Sequence, residues 1–129
     1  MQEAIVITEL SGLCPVQAEG MINGQPFYFR ARHNTVSLGI GGDNLVWQPA
    51  WEWVEDYGEQ GDESAGYLPH DEARHYIAQW AQKYLDGEPS NAEPYYLARR
   101  IATVRMYRDK YPDIFASLPP EMKALVAEV

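Results

Sequence analysis

Three of the four tryptophans, Trp47, Trp51 and Trp53, fall within seven residues. Six carboxylates, Glu52, Glu55, Asp56, Glu59, Asp62 and Glu63, lie in the twelve positions 52–63 with no Lys or Arg among them. Such a segment suits two chemistries. Carboxylates pair with Lys and Arg of a basic partner, and indole faces add cation–π attraction. On that reading the partner-binding residues are Trp51, Glu52, Trp53, Glu55, Asp56, Glu59, Asp62 and Glu63. Alternatively, rings stack on a glycan while two carboxylates act as acid and base. The spacing singles out no two of the six, so the first chemistry ranks higher. The purely structural alternative puts the rings on the core and the acids on a solvated rim.

Other chemistry-bearing residues offer less. His70 and His75 are five apart, whereas two metal-binding histidines on one helical face need i, i+4 spacing. Asp71 and His75 have that spacing, but an acid near a helix N-terminus and a solvated or capping His explain the pair as well. Gly39-Ile40-Gly41-Gly42-Asp43 lacks the Lys-Ser/Thr of a phosphate loop and reads as a strand-to-loop connection. No serine sits in a Gly-x-Ser-x-Gly elbow. The single cysteine, Cys14, excludes an internal disulfide framework and a thiolate zinc cluster, and it reads as a buried small hydrophobe ahead of Pro15. No catalytic residue, metal or cofactor is expected.

The chain has 129 residues and a net charge of -9, with 46% hydrophobic residues. That length and composition fit a single globular domain over 1–129, divided into a mainly β part (1–54), an acidic loop (55–68) and a helical part (69–129). The charge is uneven. Residues 1–70 hold ten acids against two bases, Arg30 and Arg32; residues 71–129 hold nine acids against eight bases. A basic stripe of Arg99, Arg100, Arg105, Arg108 and Lys110 faces one acid, Asp109, at the opposite pole. This balance disfavours direct binding to nucleic acid or to an anionic membrane, because phosphate contacts rest on Lys and Arg. Apolar runs such as Ala4–Ile7 are too short to span a bilayer, and no leader pattern is present, so a cytoplasmic protein is expected.

These residues must be positioned by strands first and helices after. Ala4–Leu10 is β-branched and ends at Ser11-Gly12. Val16, Ala18, Gly20 and Ile22 alternate with polar residues. Asn23-Gly24 predicts a tight type I′ hairpin. Phe27, Phe29 and Ala31 then alternate with Tyr28, Arg30 and Arg32, and Val36, Leu38 and Ile40 follow the His33-Asn34 turn. Leu45–Trp53 is a candidate edge strand broken by Pro49, and Glu55–Gly66 reads as an exposed loop. Ala73, Tyr76, Ile77, Trp80, Ala81, Tyr84 and Leu85 define a helix that starts at Pro69 and stops at Gly87. A second helix from about Pro94 to Pro112 has a stripe of Leu97, Ile101 and Val104. Pro119-Pro120 opens a short last helix. The expected fold is α+β: an antiparallel meander of three to four strands, then two main helices and a short C-terminal helix packed on one face.

The run Val16-Gln17-Ala18-Glu19-Gly20-x-Ile22-x-Gly24-x-Pro26-Phe27-Tyr28-Phe29-Arg30-Ala31-Arg32, with the later Ala65-Gly66-Tyr67-Leu68-Pro69, resembles a pattern in small bacterial and phage-associated proteins. The likeness covers roughly residues 13–80, and it brings no catalytic residues with it. A phage association would imply an acidic inhibitor of host nucleases, of the anti-CRISPR or anti-restriction kind. The expected function is thus a non-enzymatic acidic binding module that occupies a basic nucleic-acid-binding surface, of a nuclease or CRISPR effector, in place of phosphates. The rivals are a small hydrolase or glycan-active enzyme with a carboxylate pair beside Trp51 and Trp53, and an immunity or antitoxin-like protein that neutralises a basic toxin.

Overall fold

The structure is a computed structural model that describes residues 4–58 and 64–127. It is an α+β fold: an N-terminal antiparallel sheet followed by helices. The chain separates into two compact units, residues 1–92 and 93–129. Their boundary falls at the start of the second helix, not where the β-rich sequence gives way to the helical one.

The first unit is built on a five-stranded meander in the order β1 (Ile5–Ser11), β2 (Val16–Ile22), β3 (Gln25–Arg32), β4 (Thr35–Ile40) and β5 (Trp51–Asp56), every neighbouring pair antiparallel. Each connection is short, so each strand returns beside its predecessor. The β2–β3 hairpin turns at Asn23-Gly24 with φ of 50° and 84°, the two positive values that a type I′ turn demands. Val16, Ala18, Ile22, Phe27, Phe29, Ala31, Val36, Leu38 and Ile40 are all buried on one face, following the period of two in their sequence.

Three expectations change. The sheet has five strands, not three or four, because the last strand begins after Pro49 and runs on through Glu55 and Asp56. Proline has no N–H for a ladder, which places it in the preceding loop. The acidic stretch is also less loop-like than expected. Ser64–Tyr67 forms a 3₁₀ turn, and Ala65 and Leu68 join the core. Cys14 is exposed instead of buried; its backbone N–H bonds the Gly66 carbonyl.

Helix α1 (His70–Leu85) covers the inner sheet face with Ala73, Ile77, Trp80 and Ala81. Asp71 and Glu72 lie in its first turn, where the helix dipole favours acids. It ends in a Schellman motif: Gly87 N–H donates to the Tyr84 carbonyl and Glu88 N–H to the Lys83 carbonyl, at 3.0 Å each. Gly87 has φ 81°, a conformation that side chains resist, and this turn aims residues 88–91 at the sheet edge.

The second unit comprises α2 (Ala92–Lys110) from Glu93 onward, α3 (Pro112–Ala116) and α4 (Pro120–Lys123), the last continued by a 3₁₀ turn at Ala124–Val126. Val104 and Val126 are its buried apolar residues, and Arg108 Nη1 donates to the Val126 carbonyl at 3.3 Å. The expected α2 stripe is only partly inward: Val104 is buried and Ile101 half-buried, whereas Leu97 is exposed.

Candidate functional site

Strand β5 carries the tryptophan–acid segment, and its pleat divides that segment between two faces. Trp51 and Trp53 stand opposite Ile40 and Leu38 and Glu55 opposite Val36, all on the inner face. Glu52 and Asp56 stand opposite Gly39 and Thr35 on the outer face. Glu59, Asp62 and Glu63 lie outside the described residues.

Inside, the indoles are structural. Trp51 belongs to the core, stacks with Trp53 at 6.1 Å between centroids, and meets the edge of Tyr84 at 5.5 Å. Its Nε1 donates to the Glu88 carbonyl at 2.8 Å. Trp53 already holds a cation, Lys83 Nζ, 4.5 Å from its ring centroid, and its Nε1 donates to Glu55 Oε2 at 2.8 Å. The cation–π role expected of a partner is thus filled from within the chain. Lys83 also pairs with Glu88 at 3.5 Å.

The outer edge of β5 is closed by the segment that follows α1. Ser90 Oγ donates to the Glu52 carbonyl at 2.6 Å. Asn91 meets Val54 twice: Val54 N–H donates to Asn91 Oδ1, and Asn91 Nδ2 donates to the Val54 carbonyl, both at 2.8 Å. One amide side chain therefore imitates a paired strand residue, and part of an edge that would otherwise template strand addition is occupied.

The third tryptophan differs. Trp47 is 78% exposed, at the tip of a loop between Gly41 and Ala50. The loop is closed by Ala50 N–H to the Gly41 carbonyl at 3.1 Å, and is braced by Gln48 N–H to the Asn44 carbonyl and Trp47 N–H to Asn44 Oδ1. It folds back on the sheet at Gly39, where a Cβ would stand 3.0 Å from Pro49 Cβ. Only a glycine leaves room for that approach without displacing the loop. The loop that carries Trp47 thus lies against Gly39, the register partner of Glu52. Next to it in register, Glu19 pairs with Tyr28, and Glu9 lies directly opposite Glu19. Sequence proximity had grouped Trp47 with the other two rings; the signal that separates it is its bracketing by Asn44 and Pro49, both turn formers.

At the far end of β5 an aromatic chain ties the strand to α1. Tyr57 meets Tyr76 at 6.4 Å, and Tyr76 meets Trp80 at 5.0 Å. Tyr57 Oη donates to Glu72 Oε1 at 3.2 Å. Burial, then the Glu72 carboxylate, pushes the Tyr57 phenol above its ordinary range; burial, then Glu72 and Glu55, does the same for Tyr76.

Elsewhere, His70 Nε2 lies 3.1 Å from the Gly12 carbonyl, a structural contact for a residue weighed as a ligand. Among the described residues no group of three or more His, Cys, Asp or Glu is placed to hold a metal ion. Among them, too, no helix is long and apolar enough to cross a membrane. No protein-family model, curated protein or solved structure matches the chain.

Proposed function

We propose that the protein is a non-enzymatic binding module whose outer sheet face docks on a basic protein surface. In that role it displaces nucleic acid from a nuclease or CRISPR effector, in the manner of a phage-type inhibitor. The observation that carries the reading is Trp47, an indole 78% exposed on a hydrogen-bonded loop at the end of the sheet that bears Glu52. A solvated tryptophan on a hydrogen-bonded loop is a costly surface for a monomer and a strong anchor for a cationic partner. Glu9 opposite Glu19 supports it, since like charges directly across a sheet are destabilising and are relieved by a basic partner. Within this reading the docking residues shift from Trp51 and Trp53 to Trp47, with Glu9, Glu19 and Glu52 in the register row at that end of the sheet.

The carboxylate-pair enzyme has less support. Glu52 and Glu55 lie on opposite faces of one strand, and Trp53 occupies Glu55. An immunity or antitoxin-like role uses the same acidic face and differs only in its partner.

The test is capture from host lysate at low and high salt with the wild-type chain, Trp47→Ala, and a Glu9→Lys, Glu19→Lys, Glu52→Lys variant. A basic protein should be retained at low salt only, and it should lose its nucleic acid when the wild-type chain is added. The charge reversal should slow association by about tenfold or more, and Trp47→Ala should speed dissociation. Undiminished capture by both variants, or a captured partner that keeps its nucleic acid, would sink the proposal.

A further inference from the structure

At the other end of the outer sheet face lies a cavity of about 230 Å³ lined by Arg30, Arg32, His33, Thr35 and Ser37. The β3–β4 hairpin assembles it. Arg30 stands opposite Ser37 and Arg32 opposite Thr35, and the His33 turn joins the two strands. These are the polar positions of an alternation whose apolar positions, Phe29, Ala31, Val36 and Leu38, form the core. Two of the ten bases in the chain thus meet here, and they are the only two among residues 1–70.

Arg32 Nε donates to His33 Nε2 at 3.1 Å. Arg30 has no such partner. Its Nε is buried and makes no hydrogen bond, and among the described residues its guanidinium forms no ion pair. Arginine stays charged at any physiological pH and has donors only. A buried guanidinium N–H left unsatisfied is rare and calls for an acceptor. A chain with nineteen acids has carboxylates to spare, yet among the described residues none lines this cavity. The nearest in register is Asp56, across from Thr35 on the far side of β4.

We propose that this cavity is an oxyanion site that takes the phosphate group of a small ligand. Arg30 and Arg32 supply the charge and the Ser37 hydroxyl a neutral donor. Two guanidiniums match a phosphate dianion better than a singly charged carboxylate. The volume falls below the roughly 300–1,000 Å³ of pockets for drug-sized ligands, which fits a small molecule. Glu19, Glu52 and Asp56 on the same face repel extended polyanions but leave a compact one tolerable. The site shares no residue with the proposed docking surface, so either proposal can fail alone.

The test is a titration of the full chain with inorganic phosphate at constant ionic strength, balanced with chloride and read by heteronuclear NMR. Saturable shifts should be confined to residues 30–37, with the Arg30 Nε–H resonance moving furthest and a Kd of about 1 mM or below. Arg32→Gln, a change at an exposed position, should weaken binding about tenfold. Arg30→Lys, which keeps the charge and loses the fork, should weaken it at least as much. Acetate should bind about tenfold more weakly than phosphate. Absence of saturable shifts, equal affinity in Arg32→Gln, or acetate binding as well as phosphate would each overturn the proposal.

Discussion

Glu72 is a half-buried carboxylate that faces two phenols. It accepts from Tyr57 Oη at 3.2 Å and lies close enough to Tyr76 to oppose its ionisation. Burial first, and then this carboxylate, make both phenols titrate above their ordinary value of about 10. A group with a raised folded pKa contributes stability below its unfolded pKa and loses it as pH climbs through the folded one. The expected outcome is a loss of stability that begins above about pH 10 and deepens as Tyr57 and Tyr76 ionise. Glu72→Gln removes the charge but keeps an acceptor, so both phenols should titrate closer to their ordinary value and the alkaline loss should shrink. Spectrophotometric tyrosine titration, run with denaturation at each pH, checks both. An unchanged tyrosine titration in Glu72→Gln would show that burial alone raises the two phenols. None of this could be read from sequence. Tyr57, Glu72 and Tyr76 carry no motif, and only the packing of α1 across the end of β5 brings them together.

Strand β5 is the element on which the site depends, and its edge is held by residues almost forty positions away. Asn91 supplies both the acceptor for Val54 N–H and the donor for its carbonyl. Asn91→Ala leaves two part-buried backbone groups unpaired, at a cost of about 2 kcal/mol or more. The urea midpoint should fall with the m-value unchanged, as it does when stability changes without a change in the surface exposed. A midpoint within error of the wild type would show that water replaces the amide without loss. The period of two in the sequence anticipated β2, β3 and β4 well, because the apolar positions of each are buried on one face and the alternate positions are mostly exposed or half-buried. Strand β5 was harder to read. Its inner positions are Trp51, Trp53 and Glu55, an acid where alternation expects an apolar residue.

At the scale of the whole molecule, the two units differ in how much they bury. Residues 1–92 enclose a continuous apolar core from Val16 to Ala81. Residues 93–129 bury Val104 and Val126, while Tyr96, Leu97, Met106, Tyr111 and Ile114 remain exposed. Amide exchange should follow that division. The β2, β3 and β4 amides should exchange most slowly, and those of α2 beyond its first turns at least about tenfold faster, through opening of the second unit alone. Equal protection across both units would mean that they unfold as one. The charge also divides unevenly, and the consequence is local. Glu9 faces Glu19, whereas Arg30 and Arg32 meet one and two rows further along the same face. A net charge of -9 describes neither end of that face.

The sequence by itself determined the α+β order, the Asn23-Gly24 hairpin, the inward set of three strands and the limits of α1. Each follows from local periodicity or from the backbone preferences of Gly, Pro and Asn, which act within a few residues. Only the tertiary structure decided which tryptophan is free. Trp51 and Trp53 are taken up by Tyr84, Lys83 and Glu88 from a distant helix and its exit turn. Trp47 is left in solvent because a loop folds back over Gly39. It likewise decided that Arg30 has a buried Nε donor with no hydrogen-bond partner among the described residues. Burial and pairing depend on neighbours far along the chain, and no local pattern encodes them.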